Sequence, residues 1–183
     1  MAQIHLMRIG VVEPELLDAV GRGINEMLGC PVEPYPDPLN PAFALDPSRG
    51  QYNSTQILKR LETLALAPSD RILGITEVDL FIPILTFVFG EALLNRPPAI
   101  ISLYRLRPQF YGLPPDPDRL LRRAITEAVH ELGHTFNLIH CPDYACVMHA
   151  SRVADEIDLK HSAFCADCAT TLTTGNLSPR RYQ

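Results

Sequence analysis

The stretch from His130 to His140, HELGHTFNLIH, constrains this 183-residue chain more than any other part of it. His130 and His134 stand four residues apart inside a helical pattern, so both imidazoles project from one helix face. That pairing suits two adjacent corners of a zinc tetrahedron. Glu131 lies about 100° round the helix from His130, able to meet a water at the metal without ligating the metal itself. The third ligand sets the harder condition. Were the helix to run on through His140, that residue would rise about 9 Å beyond His134, whereas a Zn–N bond spans only about 2.0–2.1 Å. The helix must therefore stop soon after His134, and the chain must turn sharply to bring His140 back. A left-handed residue makes such a turn; glycine adopts it at the least cost and asparagine is the usual second choice. Asn137 stands in the turn, at an expected cost of about 1–2 kcal/mol.

HExxH alone also arises by chance on helices that bind nothing. A third histidine at the required spacing and the cysteines that follow weigh against chance. Cys141 comes directly after His140, then Cys146, Met148, Cys165 and Cys168, so that residues 130–168 read HExxHxxNxxHCx4CxMx16CxxC. The four cysteines fit two paired half-sites of a structural zinc held by four thiolates. The competing reading is a set of reduced thiols or a single disulfide. Zinc tied to Cys141 would anchor the backbone beside His140 and staple a C-terminal segment too small to bury its own core.

Over residues 130–168 the chain resembles the archaemetzincins, or archaelysins, a branch of the metzincin metallopeptidases. The resemblance implies His130, His134 and His140 as ligands of a catalytic zinc and Glu131 as its general base and acid. It also implies a second zinc on Cys141, Cys146, Cys165 and Cys168, and Met148 in a Met-turn beneath the first. Two zinc ions per chain are therefore expected. Asn137 departs from the family pattern, which has glycine there. Without the resemblance, Met148 reads as plain core, apolar and polarizable. His149 and His161 remain without an assigned role and read first as ordinary surface histidines. Cys30, far from the cluster, reads as an inert buried thiol.

The rest of the chain narrows the classes. At 46% hydrophobic and 20% charged it has the composition of an ordinary globular protein. Its 16 basic against 21 acidic side chains give a net charge of −5, and no basic block or basic-aromatic stripe suggests a nucleic-acid or anionic-membrane partner. The N-terminus alternates like a strand and lacks the features of a signal peptide. The longest apolar stretch, residues 80–90, is too short to span a bilayer and contains Pro83. A cytoplasmic location is expected, which also favours metal or free-thiol roles for the five cysteines over disulfides.

Along the chain, residues 3–12 read as a strand and 14–28 as an amphipathic helix with Pro14 in its first turn and Gly29 at its end. Residues 30–50 read as loop with at most one short strand, because of their prolines. Ser54 is expected to cap a second helix bearing Ile57, Leu58, Leu61 and Leu64 on one face. Three strand candidates follow at 71–81, 86–92 and 99–106. The gap between the first two is too short for a parallel crossover, so one of them should be antiparallel and at an edge. Asp116 and Pro117 open the long helix that carries the histidines. Beyond Asn137 the chain reads as loop up to a last helix near 162–174, followed by a mobile tail. The expected fold is α/β (α+β) and metzincin-like: a mixed, mostly parallel twisted sheet with an antiparallel edge strand and backing helices. One domain is expected over 1–183. Residues 1–137 form its upper part and end in the active-site helix; residues 138–183 form a small C-terminal part with the four-cysteine zinc.

These readings converge on a zinc metallopeptidase acting on peptide or protein substrate, with the substrate extended along the edge strand within 85–92. Two other classes compete. One is a catalytically silent zinc protein that keeps the fold as an interaction or processing factor. The other is a three-histidine metal endoribonuclease, which Glu131, the cysteines and the acidic balance disfavour. Oligomeric state, natural substrate and endo- or exopeptidase preference have no signature in the sequence.

Overall fold

A computed structural model describes residues 2–64, 66–173 and 177–182. Its strands are β1 (Ile4–Ile9), β2 (Val32–Pro34), β3 (Leu45–Asp46), β4 (Gln51–Asn53), β5 (Arg71–Thr76), β6 (Leu80–Phe81), β7 (Gly90–Ala92) and β8 (Pro98–Ser102). Its α-helices are α1 (Pro14–Leu28), α2 (Ser54–Glu62), α3 (Pro117–Thr135), α4 (Ala154–Leu159) and α5 (Ala166–Thr173). No helix among the described residues is long and apolar enough to cross a membrane.

Five strands form one sheet in the order β2-β1-β5-β8-β7. The pairs β2–β1, β1–β5 and β5–β8 are parallel, and only β7–β8 is antiparallel, with Gly90 opposite Ile101. The mixed sheet with an antiparallel edge strand is the expected architecture, but the short connection behind it is the one from Ala92 to Pro98 between β7 and β8, not the gap between residues 81 and 86. Side-chain alternation divides the central strands between two cores. Leu73, Ile75, Ala99 and Ile101 face a large cluster that takes in Val20, Ile24 and Leu28 of α1 and Ala124, Ala128 and Leu132 of α3. Ile72 and Ile100 face the opposite side and meet Ile57, Leu58 and Leu61 of α2. The larger cluster runs on without a break into Val147, Met148, Phe164 and Leu172.

Five local expectations need correction. The candidate strand at 71–81 is two strands. It breaks after Thr76 where Glu77 and Asp79 turn out to pair with Arg107 and Arg105, and β6 joins β4 in a separate three-stranded sheet, β3-β4-β6. The proline-rich stretch between α1 and α2 holds more order than one short strand, because β2 adds to the edge of β1 while β3 and β4 pair with each other. Asn53, not Ser54, caps α2 by accepting the Gln56 N–H at 3.1 Å; Ser54 is the first helical residue, and its hydroxyl donates to Phe81 O. Helix α4 lies where loop is expected; at six residues it is too short for periodicity to reveal. The tail is docked where it is described. Leu177 is buried, Arg180 donates its N–H to Met27 O, and Phe164 donates to Arg180 O. Residues 174 and 176, the end of the expected last helix and the start of the expected mobile tail, lie outside the described residues, as does Gln183.

Candidate metal centre

Helix α3 starts on Asp116, whose carboxylate accepts the Arg119 N–H at 2.9 Å, with Pro117 in the first turn. It ends in a Schellman turn. Asn137 N–H donates to His134 O and Leu138 N–H donates to Gly133 O, each at 3.0 Å. Asn137 has φ +71°, in the left-handed region, while Leu138 is buried against the helix end. The turn also orients a histidine: His134 Nδ1 donates to Leu138 O at 2.7 Å.

Two further contacts complete the arrangement. His130, 5% exposed, donates from Nδ1 to Val147 O at 2.8 Å. Carbonyl oxygens only accept, so Nδ1 carries the proton in both rings and both Nε2 atoms present lone pairs. Those two lone-pair atoms lie 3.1 Å apart, an arrangement that repels unless a cation sits between them. Tetrahedral Zn–N bonds place neighbouring nitrogens about 3.3 Å apart. His140 comes back over the site with its ring stacked on His130 at 5.3 Å, and one ring nitrogen from each of the three lies within 4.8 Å of the others. Burial lowers all three imidazoles below their ordinary range, helped by the charge of Lys160, so they are neutral as metal ligation requires.

Glu131 sits beside them with 6% of its surface exposed. Burial raises its carboxyl well above the ordinary range; Glu127 and Glu91 add to this and Lys160 opposes it. Its side chain lies against the edge strand at Gly90. A Cβ there would stand 2.7 Å from both Glu131 Cγ and the Ile100 carbonyl oxygen. Gly90 therefore has no room for a side chain, and the one available signal was a glycine inside a strand pattern. A cleft of about 410 Å³ is lined by residues 85–90, by Glu127, His130, Glu131 and His140, and by Ala150–Arg152.

Met148 is fully buried and packs on α3 at Gly133, where an added Cβ would come within 2.4 Å of its Sδ. The missing side chain at Gly133 is what lets the methionine lie under the histidine helix. Sequence reading also passed over Lys160 and Glu127. Their partners lie far away along the chain, so nothing local marks them.

The second cluster joins Cys141, Cys146, Cys165 and Cys168, whose sulfurs all lie within 4.8 Å of one another. Cys141 Sγ and Cys165 Sγ are 3.8 Å apart, far beyond a disulfide bond. Zn–S bonds of about 2.3 Å in a tetrahedron place sulfurs about 3.8 Å apart. Burial pushes Cys146 up to about 11 and Cys168 higher still, while hydrogen bonds within the cluster lower Cys165; holding all four together as thiolates would take a cation. Cys141 N–H donates to Met148 O at 2.9 Å, which ties this cluster to the methionine segment. His149 and His161 belong to neither cluster: His149 donates to Cys141 O at 2.9 Å, and His161 stacks on Tyr182. Cys30 is buried among apolar side chains, and burial pushes its thiol up to about 11.

The geometry yields one small-effect prediction. The exposed Asn137 side chain makes no hydrogen bond among the described residues. Asn137→Gly removes left-handed strain but adds chain entropy to the unfolded state. Thermal melting should show a change between zero and about 4 °C upward, with metal content unchanged. Loss of metal in that variant would give the asparagine side chain a role that the turn does not show.

Comparison with known proteins identifies the family. A model of peptidase family M54 matches residues 42–174. The archaemetzincin of Methanocaldococcus jannaschii is 45% identical over 171 residues, covering 93% of this chain and 92% of its own length. That of Pyrococcus furiosus is 44% identical over 157 residues, 83% of this chain and 77% of its own length. Among solved structures, a zinc-dependent peptidase from Methanocorpusculum labreanum superposes with a TM-score of 0.84 at 32% identity, covering 92% of this chain and 99% of that one. The archaemetzincin of Methanopyrus kandleri gives 0.82 at 36% identity, covering 95% and 94%. The chain belongs to peptidase family M54, the archaemetzincin family of zinc metallopeptidases.

Proposed function

We propose that this chain hydrolyses peptide bonds at a zinc held by His130, His134 and His140, with Glu131 as general base and acid. A second zinc on Cys141, Cys146, Cys165 and Cys168 is structural. The observation that carries the reading is the convergence of three neutral ring nitrogens within 4.8 Å beside a buried carboxylate on an open cleft. When bound there, zinc supplies polarisation of a carbonyl and acidification of water to a pKa of about 7. With a cation on the three histidines to offset the burial that raises its carboxyl, Glu131 would accept the proton of the attacking water on its carboxylate as the water oxygen bonds to the scissile carbonyl carbon. It then delivers that proton to the amine nitrogen as the C–N bond breaks. His130 and His134 are held in the ligating tautomer by Val147 O and Leu138 O.

Substrate lies extended along residues 85–92, the edge beside β7, pairing through its backbone. Gly90 lets that strand come up against Glu131, which supports a scissile bond lying beside the base. The whole chain acts as one domain, a reading supported by the apolar cluster that continues from the sheet through α3 into the C-terminal part.

The test combines metal analysis with digestion. Fresh, reduced protein should contain about two zinc ions per chain, one for each donor set, and should cut members of a diverse peptide library. A zinc content near one overturns the four-cysteine site. Two zinc ions without any cleavage points to a catalytically silent relative of the peptidases.

A further inference from the structure

Lys160 follows the short helix α4 directly, yet its side chain is 1% exposed. A buried ammonium has three donors and needs three acceptors. It lies 2.9 Å from His149 O, 3.2 Å from Val147 O and 3.3 Å from Glu127 Oε1. The last is a charge contact whose angles fall short of a hydrogen bond. Residues 147 and 149 flank Met148, so one cation grips the backbone on both sides of the residue beneath the histidine helix. Val147 O is also the acceptor for His130 Nδ1 at 2.8 Å. Glu127 stands on α3 one turn before His130 and Glu131. Lys160 is thus the point where α3 and the methionine segment are joined by charge.

We propose that Lys160 is a positioning residue for the three-histidine site. It fixes the Val147 carbonyl that sets the tautomer and ring orientation of His130. Burying an ammonium is costly, and an apolar side chain with the same stem would pack there without that cost. A residue needed only for packing would not carry the charge. Besides pairing with Glu127, Lys160 holds the acceptor of one histidine and the backbone on either side of Met148, all beside the histidine site. Removing an outer partner of a ligating histidine generally weakens metal binding by about 10–100-fold.

This inference rests on the three histidines binding metal, and the experiment separates the two ideas. Lys160→Met alone would leave Glu127 buried without its cation, so the deciding variant is Lys160→Met combined with Glu127→Gln. It is compared with Glu127→Gln alone, which isolates the lysine. Zinc affinity is measured by chelator competition, and the cobalt-substituted proteins are compared by absorption. Bands from thiolate-bound cobalt report the four-cysteine site and serve as a control for folding. The double variant should keep those bands, bind metal at the histidines about 10–100-fold more weakly than Glu127→Gln, and show an altered spectrum for the histidine-bound cobalt. Equal affinity and an unchanged spectrum overturn the proposal. Joint loss of both metals also overturns it, because Lys160 would then serve the fold as a whole. If wild-type protein takes up no metal at the histidines, the functional reading itself fails.

Discussion

Replacing Glu131 with alanine is expected to leave both metal sites filled and to slow peptide cleavage by at least about 10²–10⁴-fold. Glu131 projects from the same helix as His130 and His134 but supplies none of the converging ring nitrogens, so its removal takes away the proposed proton acceptor and leaves the metal donors. Packing complicates the alanine variant, because the Glu131 side chain fills the space against Gly90 and β8. Glu131→Gln keeps the shape and removes only the ability to take a proton. The two variants should therefore lose activity to a similar extent, while glutamine alone preserves the melting temperature. Digestion of one peptide library by wild type and both variants, with zinc measured in each, checks the expectation. Cleavage by Glu131→Gln at the wild-type rate would remove Glu131 from the role of base.

The parts of this site that the sequence discloses are those whose geometry is local. Two histidines four apart must share a helix face, and His140 can come back to them only through a left-handed turn; Asn137, at φ +71°, makes it. The cysteine half-sites are likewise short-range, and the antiparallel edge follows from a connection too short to cross over. What the sequence conceals is set by distant partners. Gly90 is shaped by Glu131, forty-one residues further on, and Lys160 meets Glu127 across thirty-three. No periodicity encodes such pairs. The break after Thr76 was hidden for a related reason. An apolar run read as one strand until Arg105 and Arg107, from beyond β8, claimed the acidic residues within it.

Loss of the second metal should reach the first. Cys165→Ser with Cys168→Ser removes two of four thiolates, one just before α5 and one on it, and zinc content should fall from about two to one per chain or less. Metal at such sites contributes folding free energy directly, on the order of 10 kcal/mol or more in small zinc modules. This cluster holds less of its fold alone, because Val147, Phe164 and Leu172 also pack into the main core. The sheet and α3 should therefore survive while residues 138–173 open. Cys141 is the direct neighbour of His140, and its N–H is bound to Met148 O. Freeing the cluster thus frees both the returning histidine and the segment that orients His130. Hydrogen exchange should rise across residues 138–173 and stay low in β1, β5 and β8, with peptide cleavage lost alongside. Full activity in a protein holding a single zinc would show that His140 is held without the cysteines.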